Sequence, residues 1–320
     1  MDLIHMRIVC PADLTEQVHL RLSRDPSVVN LVVLPSAVRN PDGDLIECDV
    51  LPGATNKVMR EVRVLGVDLR GSITVDGVDL ALSGRAERTQ SRQLPVAVHT
   101  PLWELVESRI RADATYPPSF YLYLIIAGVI GAVGILSNSQ ILIVAAMVVG
   151  PEYGAIVAVA LGIDTKHIRS VRRGMTALGV GFLLAIAAAF LFALTVRGAG
   201  LTPNAYELGI RPVSQLIDTP NLFSFVVAAL AGVVGVVALA EARSSTLLGV
   251  FISVTTIPAA SDCGVSMAFG SRTDAWGSLV QLLLNVVVLI VVGFLTLRVQ
   301  RVLWRRVDRR NTRRIAGGSG

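Results

Sequence analysis

Polar and apolar positions divide the chain into two unlike parts. Up to residue 80, short apolar runs alternate with charge. Residues 3–10 alternate as a strand, and 12–23 set Leu14, Val18 and Leu22 at helical spacing. Residues 28–34 are β-branched and short. Asn40-Pro41-Asp42-Gly43 reads as a turn, 44–51 alternate again, and Pro52-Gly53 stops them. Residues 54–65 align Val58, Val62 and Leu65, and 71–78 form a last strand. The order βαββαβ predicts an α+β ferredoxin-like domain over 1–80. Such a domain binds a small ligand, pairs its edges with a neighbour, or only packs.

Residues 81–118 predict a linker and a juxtamembrane helix. The stretch 82–98 is polar and has no period. Thr100-Pro101 is a helix start, and Leu102, Val106 and Ile110 make one apolar stripe. Trp103 suits a membrane interface.

From residue 119 to 297 the pattern changes to long apolar stretches. A membrane span needs about 20 such residues. Six stretches meet this: 120–136, 139–162, 174–196, 222–240, 246–269 and 276–297. The fold class expected is therefore an α-helical polytopic membrane protein with an N-terminal cytoplasmic domain.

The second and fifth spans are unusual. Asn138-Ser139 opens the second, which ends in Gly150-Pro151-Glu152-Tyr153. Ser245-Thr246 opens the fifth, which runs into Thr255-Thr256-Ile257-Pro258 and then Ser261-Asp262. Aligning Asn138 with Ser245 brings Pro151 onto Pro258. Gly128-x-x-Gly131 and Gly232-x-x-Gly235 mark the spans before them. Two copies of a three-span unit follow from this reading. An odd number of spans makes the copies face opposite ways, the inverted-repeat signature of many transporters.

The bilayer dictates the chemistry expected there. Proline removes a backbone donor and frees a carbonyl one turn earlier. Freed backbone groups must be met by protein, water or ligand. A carboxylate beside such a break is costly unless it faces a cavity or carries a proton. Asn138, Ser139, Pro151, Glu152, Tyr153, Thr255, Thr256, Pro258, Ser261 and Asp262 are accordingly the candidate residues for a small solute or ion.

Composition supports the membrane class. The chain is 52% hydrophobic and 17% charged, with mean hydropathy +0.62. Soluble domains carry about 25% charge. The net charge of +5 invites a nucleic-acid partner until it is divided. Residues 1–118 hold 13 basic and 16 acidic side chains, 119–297 hold 8 and 7, and 298–314 hold 8 and 1. The excess is a short tail, read as a topology anchor attracted to anionic lipid. Nucleic acid is excluded as a partner. Lys166, Arg169, Arg172 and Arg173, with the tail, place both termini in the cytoplasm by the positive-inside rule. The domains expected are 1–80, 81–118, 119–297 and a basic tail over 298–316. Gly-Gly-Ser-Gly at 317–320 reads as a cloning remnant.

Cys10, Cys48 and Cys263 have no metal or disulfide spacing, and Cys10 and Cys48 read as core residues. Glu241 and Arg243 read as an interfacial pair. Neither H-E-x-x-H nor G-x-S-x-G occurs, so no enzyme, metal or cofactor is expected.

Asn138-Ser139, Ala145-Ala146-Met147 and Gly150-Pro151, with Ser244-Ser245 and Ile257-Pro258, resemble a prokaryotic membrane family known as domain of unknown function 389. The resemblance covers about residues 118–270. In that pattern small or apolar residues follow the first proline, whereas Glu152-Tyr153 follow it here. The resemblance implies a polytopic bacterial membrane protein without settled substrate.

The leading expectation is a transporter or channel in the cytoplasmic membrane, assembled as a homo-oligomer, with a trimer as one option. The alternative is a membrane-anchored sensor or scaffold whose cytoplasmic domain binds a ligand.

Overall fold

The computed structural model describes residues 3–78, 103–209, 211–217, 222–240 and 256–317. The 82–98 linker, Thr100-Pro101, Glu241, Arg243, Thr255 and the 246–255 part of the fifth predicted span lie outside the described residues. The chain divides into two compact units, residues 1–105 with 300–320, and residues 106–299.

The first unit runs β1 (Leu3–Cys10), α1 (Ala12–Ser23), β2 (Val28–Arg39), β3 (Asp42–Val50), α2 (Thr55–Val64), α3 (Val67–Arg70) and β4 (Ser72–Val78). Its sheet has the order β2-β3-β1-β4, with every pair antiparallel. Each βαβ unit therefore leaves room for one strand of the other, the split-βαβ plan. Alternation on β1 sends Met6, Ile8 and Cys10 inward, paired in register with Cys48, Ile46 and Asp44. Val18 and Leu22 of α1 and Val58 and Val62 of α2 close the core over that face. Cys10 and Cys48 are buried core residues, and burial pushes the Cys48 thiol up to about 12, which makes it inert.

Strand β2 runs five residues beyond the expected end at residue 34. Pro35 suggests a stop, but an edge strand tolerates proline. Two irregularities in the β2–β3 register absorb the awkward residues, and Asn30 and Ser36 take positive φ there. The side chain of Asp44 steadies the second one, accepting from Ser36 N at 2.7 Å and from Thr15 Oγ1 at 2.6 Å.

Asp25 ties α1 to α2. Its carboxylate is 4% exposed, and Lys57 Nζ donates to it at 2.7 Å while Ser27 N donates at 2.9 Å. Burial alone would raise this carboxyl, but Lys57 and the Ser27 N–H outweigh it and hold it below its usual value. The sign follows from linkage. The stabilisation is complete above the unfolded value, near about 3.9. It is lost as pH falls through the lower folded value. Asp25→Ala is expected to cost about 1–3 kcal/mol at neutral pH and nothing at strongly acid pH. Hydrogen exchange of β1 and β3 amides in the full chain, compared across pH, checks this.

The second unit begins within α4 (Trp103–Asp113). It continues with α5 (Pro118–Leu136), α6 (Gln140–Val149), α7 (Glu152–Asp164), α8 (Ile168–Gly198), α9 (Asn204–Glu207), α10 (Pro212–Ile217), α11 (Leu222–Ala240), α12 (Thr256–Ala268) and the start of α13 (Arg272–Gly317). Among the described residues, α5, α8, α11 and α13 are long and apolar enough to cross a membrane. The pair α6 and α7, bent by 50° at its break, makes a fifth. Their outer faces stay apolar: Leu183, Leu230 and Val287 are more than half exposed. A helix apolar on all sides suits lipid on one face and protein on the other.

The expected basic tail is no separate segment. Helix α13 continues unbroken through it, and residues 300–317 pack in the first unit. Asp308 and Asn311 are buried there, and Asn311 Nδ2 donates to Gly53 O at 3.3 Å. Arg305, Arg306, Arg309, Arg310 and Arg314 remain exposed. The arginine spacing is helical, so a polar, charged face can continue a span without a terminator.

Candidate functional site: where the inner helices begin

Helix boundaries in the second unit recur with one offset, 104 residues. The ends of α7 and α12 fall at 164 and 268, and the starts of α8 and α13 at 168 and 272. The turns match as well. His167 N donates to Gly162 O at 2.8 Å, and Ser271 N to Ser266 O at 2.9 Å. The residue before each, Lys166 or Gly270, has positive φ. This offset differs from the 107 residues that align Pro151 with Pro258. Pro151 precedes its helix, whereas Pro258 lies within α12.

Close packing fixes helix directions. Side-chain space at Gly162 is taken by Val171, and that at Gly174 by Val159. Helices α7 and α8 therefore run antiparallel. A Cβ at Gly264 would stand 2.5 Å from Ile186 O, and Arg197 Nη1 donates to Ala268 O at 2.6 Å. Helix α12 thus runs parallel to α8 and opposite to α7. The two helices meet where Thr256 Oγ1 donates to Glu152 Oε1 at 2.7 Å. These two residues are themselves 104 apart.

Glu152 is 6% exposed and Thr256 fully buried. Among the described residues Glu152 Oε2 is buried with no hydrogen-bond partner. Gly150 makes this placement possible, since Glu152 Oε2 fills the space a Cβ would need and Ile257 Cγ1 would lie 2.8 Å from it. Helix N-termini carry a partial positive charge and favour an anion. The N-terminus of α7 therefore suits the Glu152 carboxylate, and its second oxygen suits a proton or cation.

The other candidates go elsewhere. Asn138, with φ 52°, and Ser139 form the tight turn between α5 and α6. Ser139 N donates to Gly134 O at 2.8 Å, and its hydroxyl accepts from Leu142 N at 3.4 Å. They stand a helix of 10 residues away from the junction, about 15 Å. Tyr153 packs its ring against Gly235 of α11. Ser261 Oγ donates to Gly128 O at 3.1 Å and sits against Gly131.

Asp262 lies six residues along α12 from Thr256, about 9 Å. It is fully buried, and accepts from Ser214 Oγ at 2.6 Å and from Ser278 Oγ at 2.5 Å. The structure makes it a tie between α10, α12 and α13, and sets it apart from Glu152. The two acids expected in one site therefore have different settings. Gly150, Ile257, Ser214 and Ser278 went unnoticed as partners. Ser214 and Ser278 are lone hydroxyls in apolar surroundings, and that was their only signal.

No curated protein and no solved structure matches the chain. Residues 147–291, which hold α7, α12 and the Glu152–Thr256 pair, match the model of the family described as Domain of unknown function (DUF389), which the chain resembles in its motifs.

Proposed function

We propose that this chain is a membrane transporter or channel for a small ion or solute, built from two inverted copies of one unit. The observation that carries the reading is the Glu152 carboxyl. It is buried at the N-terminus of α7 against α12, and among the described residues its second oxygen has no hydrogen-bond partner. An ionisable group at such depth is costly, and its usual role is on an ion pathway. The constant offset of 104 and the opposite directions of α7 and α12 support the inverted relation. So does an exchanged contact: Gly264 meets Ala189, and Ala160 meets Gly293, with partners swapped between the copies. Such reciprocity is what a two-fold relation produces. Lys166, Arg169, Arg172 and Arg173 at the start of α8 put that end in the cytoplasm.

One observation favours the sensor reading. A cavity of about 510 Å³ in the first unit is lined by Arg21, Arg24, Asp25, Lys57 and Glu61. Four of these five charges are already engaged, Lys57 with Asp25 and Arg21 with Glu61. A mere anchor, moreover, has no use for a carboxyl buried among its spans. The transport reading is therefore preferred.

Reconstitution tests it. Proteoliposomes on a supported membrane, given concentration jumps of proton, sodium, potassium or chloride, should yield a transient current for at least one ion. Currents no larger than those of empty vesicles for all four would end the ion reading.

A further inference from the structure

Helix α13 carries a polar stripe through its apolar span. Ser278, Gln281 and Asn285 are spaced by three and then four residues, so they share one face. All three are buried, at 0%, 2% and 1% exposure. Ser278 fixes where that face points, because its hydroxyl donates to Asp262 of α12.

Asp262 and Ser278 each stand eight residues from Gly270, in the turn between α12 and α13. The two helices form a hairpin there, so residues equally far from the turn stand level. Gln281 lies about 4.5 Å beyond Ser278, and Asn285 about 10 Å beyond it. Thr256 lies about 9 Å from Asp262 in the same direction. Asn285 thus reaches the level of Thr256, which holds Glu152. Along the seam, the two amides stand between the levels of two buried acids.

Gln281 does not tie helices together, the usual work of an amide inside a membrane. Its Nε2 donates to Asn285 Oδ1 at 3.1 Å, four residues along its own helix. Among the described residues its Oε1 is buried with no hydrogen-bond partner. A buried oxygen left unmatched is costly unless something binds it. Carbonyl oxygens replace the water that a cation sheds, and carboxylates to either side attract its charge. With full charges only at the two ends, the seam suits a monovalent ion.

We propose that Gln281 Oε1 is a ligand for a monovalent metal cation, held on the α12–α13 seam between the levels of Glu152 and Asp262. The proposal rests on the transport reading for its purpose and names the class of that reading's ion.

Ion-specific stabilisation of the full chain in detergent tests it. Sodium or potassium chloride should raise the thermal midpoint above that in N-methyl-D-glucamine chloride at equal ionic strength. At ten times the dissociation constant the rise should be about 3–6 °C. Gln281→Met keeps the length and removes the amide. It should lose that rise, and its sodium- or potassium-driven current in proteoliposomes should fall about tenfold. Gln281→Glu keeps an oxygen at that place and should retain the rise. A merely structural amide would lower the midpoint equally in every salt when replaced. A parent that neither cation stabilises, or a Gln281→Met protein stabilised as much as the parent, overturns the site. Either result beside a parental ion-driven current leaves the transport reading intact. The expected shifts without any current end the transport reading and leave the cation site standing.

Discussion

Glu152→Gln is expected to lower the ion-driven current by at least about tenfold, or about 1.4 kcal/mol of barrier or site energy. Glutamine has nearly the same shape. Its carbonyl oxygen can still accept from Thr256, so the 2.7 Å hydrogen bond has a substitute. What it lacks is the oxygen that can take a proton or face a cation. The fold should notice little, because polar contacts inside membranes average about 0.6 kcal/mol. A thermal midpoint in detergent within a few degrees of the parent is the control. Thr256→Val removes the donor and leaves the carboxyl, so it should retain part of the current. A Glu152→Gln protein that folds and carries the parental current would show that the junction is only structural.

Asp262→Ala should act in the opposite sense, on stability first. It removes the acceptor of two buried hydroxyls, Ser214 and Ser278, and leaves a gap at a fully buried position. Each orphaned group costs about 1–2 kcal/mol, so a loss of about 2–4 kcal/mol is expected. For a unit of this size the midpoint should fall by roughly 5–10 °C. Asp262→Asn keeps the size and one acceptor, and its amide can donate to the second hydroxyl. It should cost under about 1 kcal/mol. The contrast separates hydrogen bonding from charge. If the alanine and asparagine variants melt together at the parental temperature, the tie carries no weight.

The distinct behaviour of these acids was not legible from their spacing. Glu152 and Asp262 each follow a proline in an apolar stretch, and on that basis they are alike. What separates them is the company each keeps. Glu152 begins a helix, and Thr256 of the neighbouring helix donates to it. Asp262 lies within its helix and meets hydroxyls 48 residues before it and 16 after it. Such partners are chosen by packing, which a linear pattern does not encode. The prolines misled in a similar way. Proline can end a helix or sit in its first turn, and only backbone geometry tells which.

Other features were written locally. Alternation and turn residues in 3–78 specify the strands and helices, because the side-chain periods of 2 and 3.6 decide which faces can be buried. Edge strand β2 is the exception, since Pro35 hides its continuation and the bulges that carry it depend on Asp44 of the partner strand. The apolar lengths of the spans were equally plain, because lipid demands them of each segment separately. The expected tail shows the limit of this local reading. Its arginines predict a free basic segment, yet α13 carries them into the first unit with Asp308 and Asn311 buried.

By itself, then, the sequence determined the two-part organisation, the membrane class and the presence of two unusual inner segments. These depend on short-range periodicity and on the apolar content of each stretch. Tertiary structure alone decided the pairing of Glu152 with Thr256 and the tie that Asp262 makes to Ser214 and Ser278. Those depend on which helices touch, and glycines such as Gly150 and Gly264 settle that by letting groups approach where a side chain would stand.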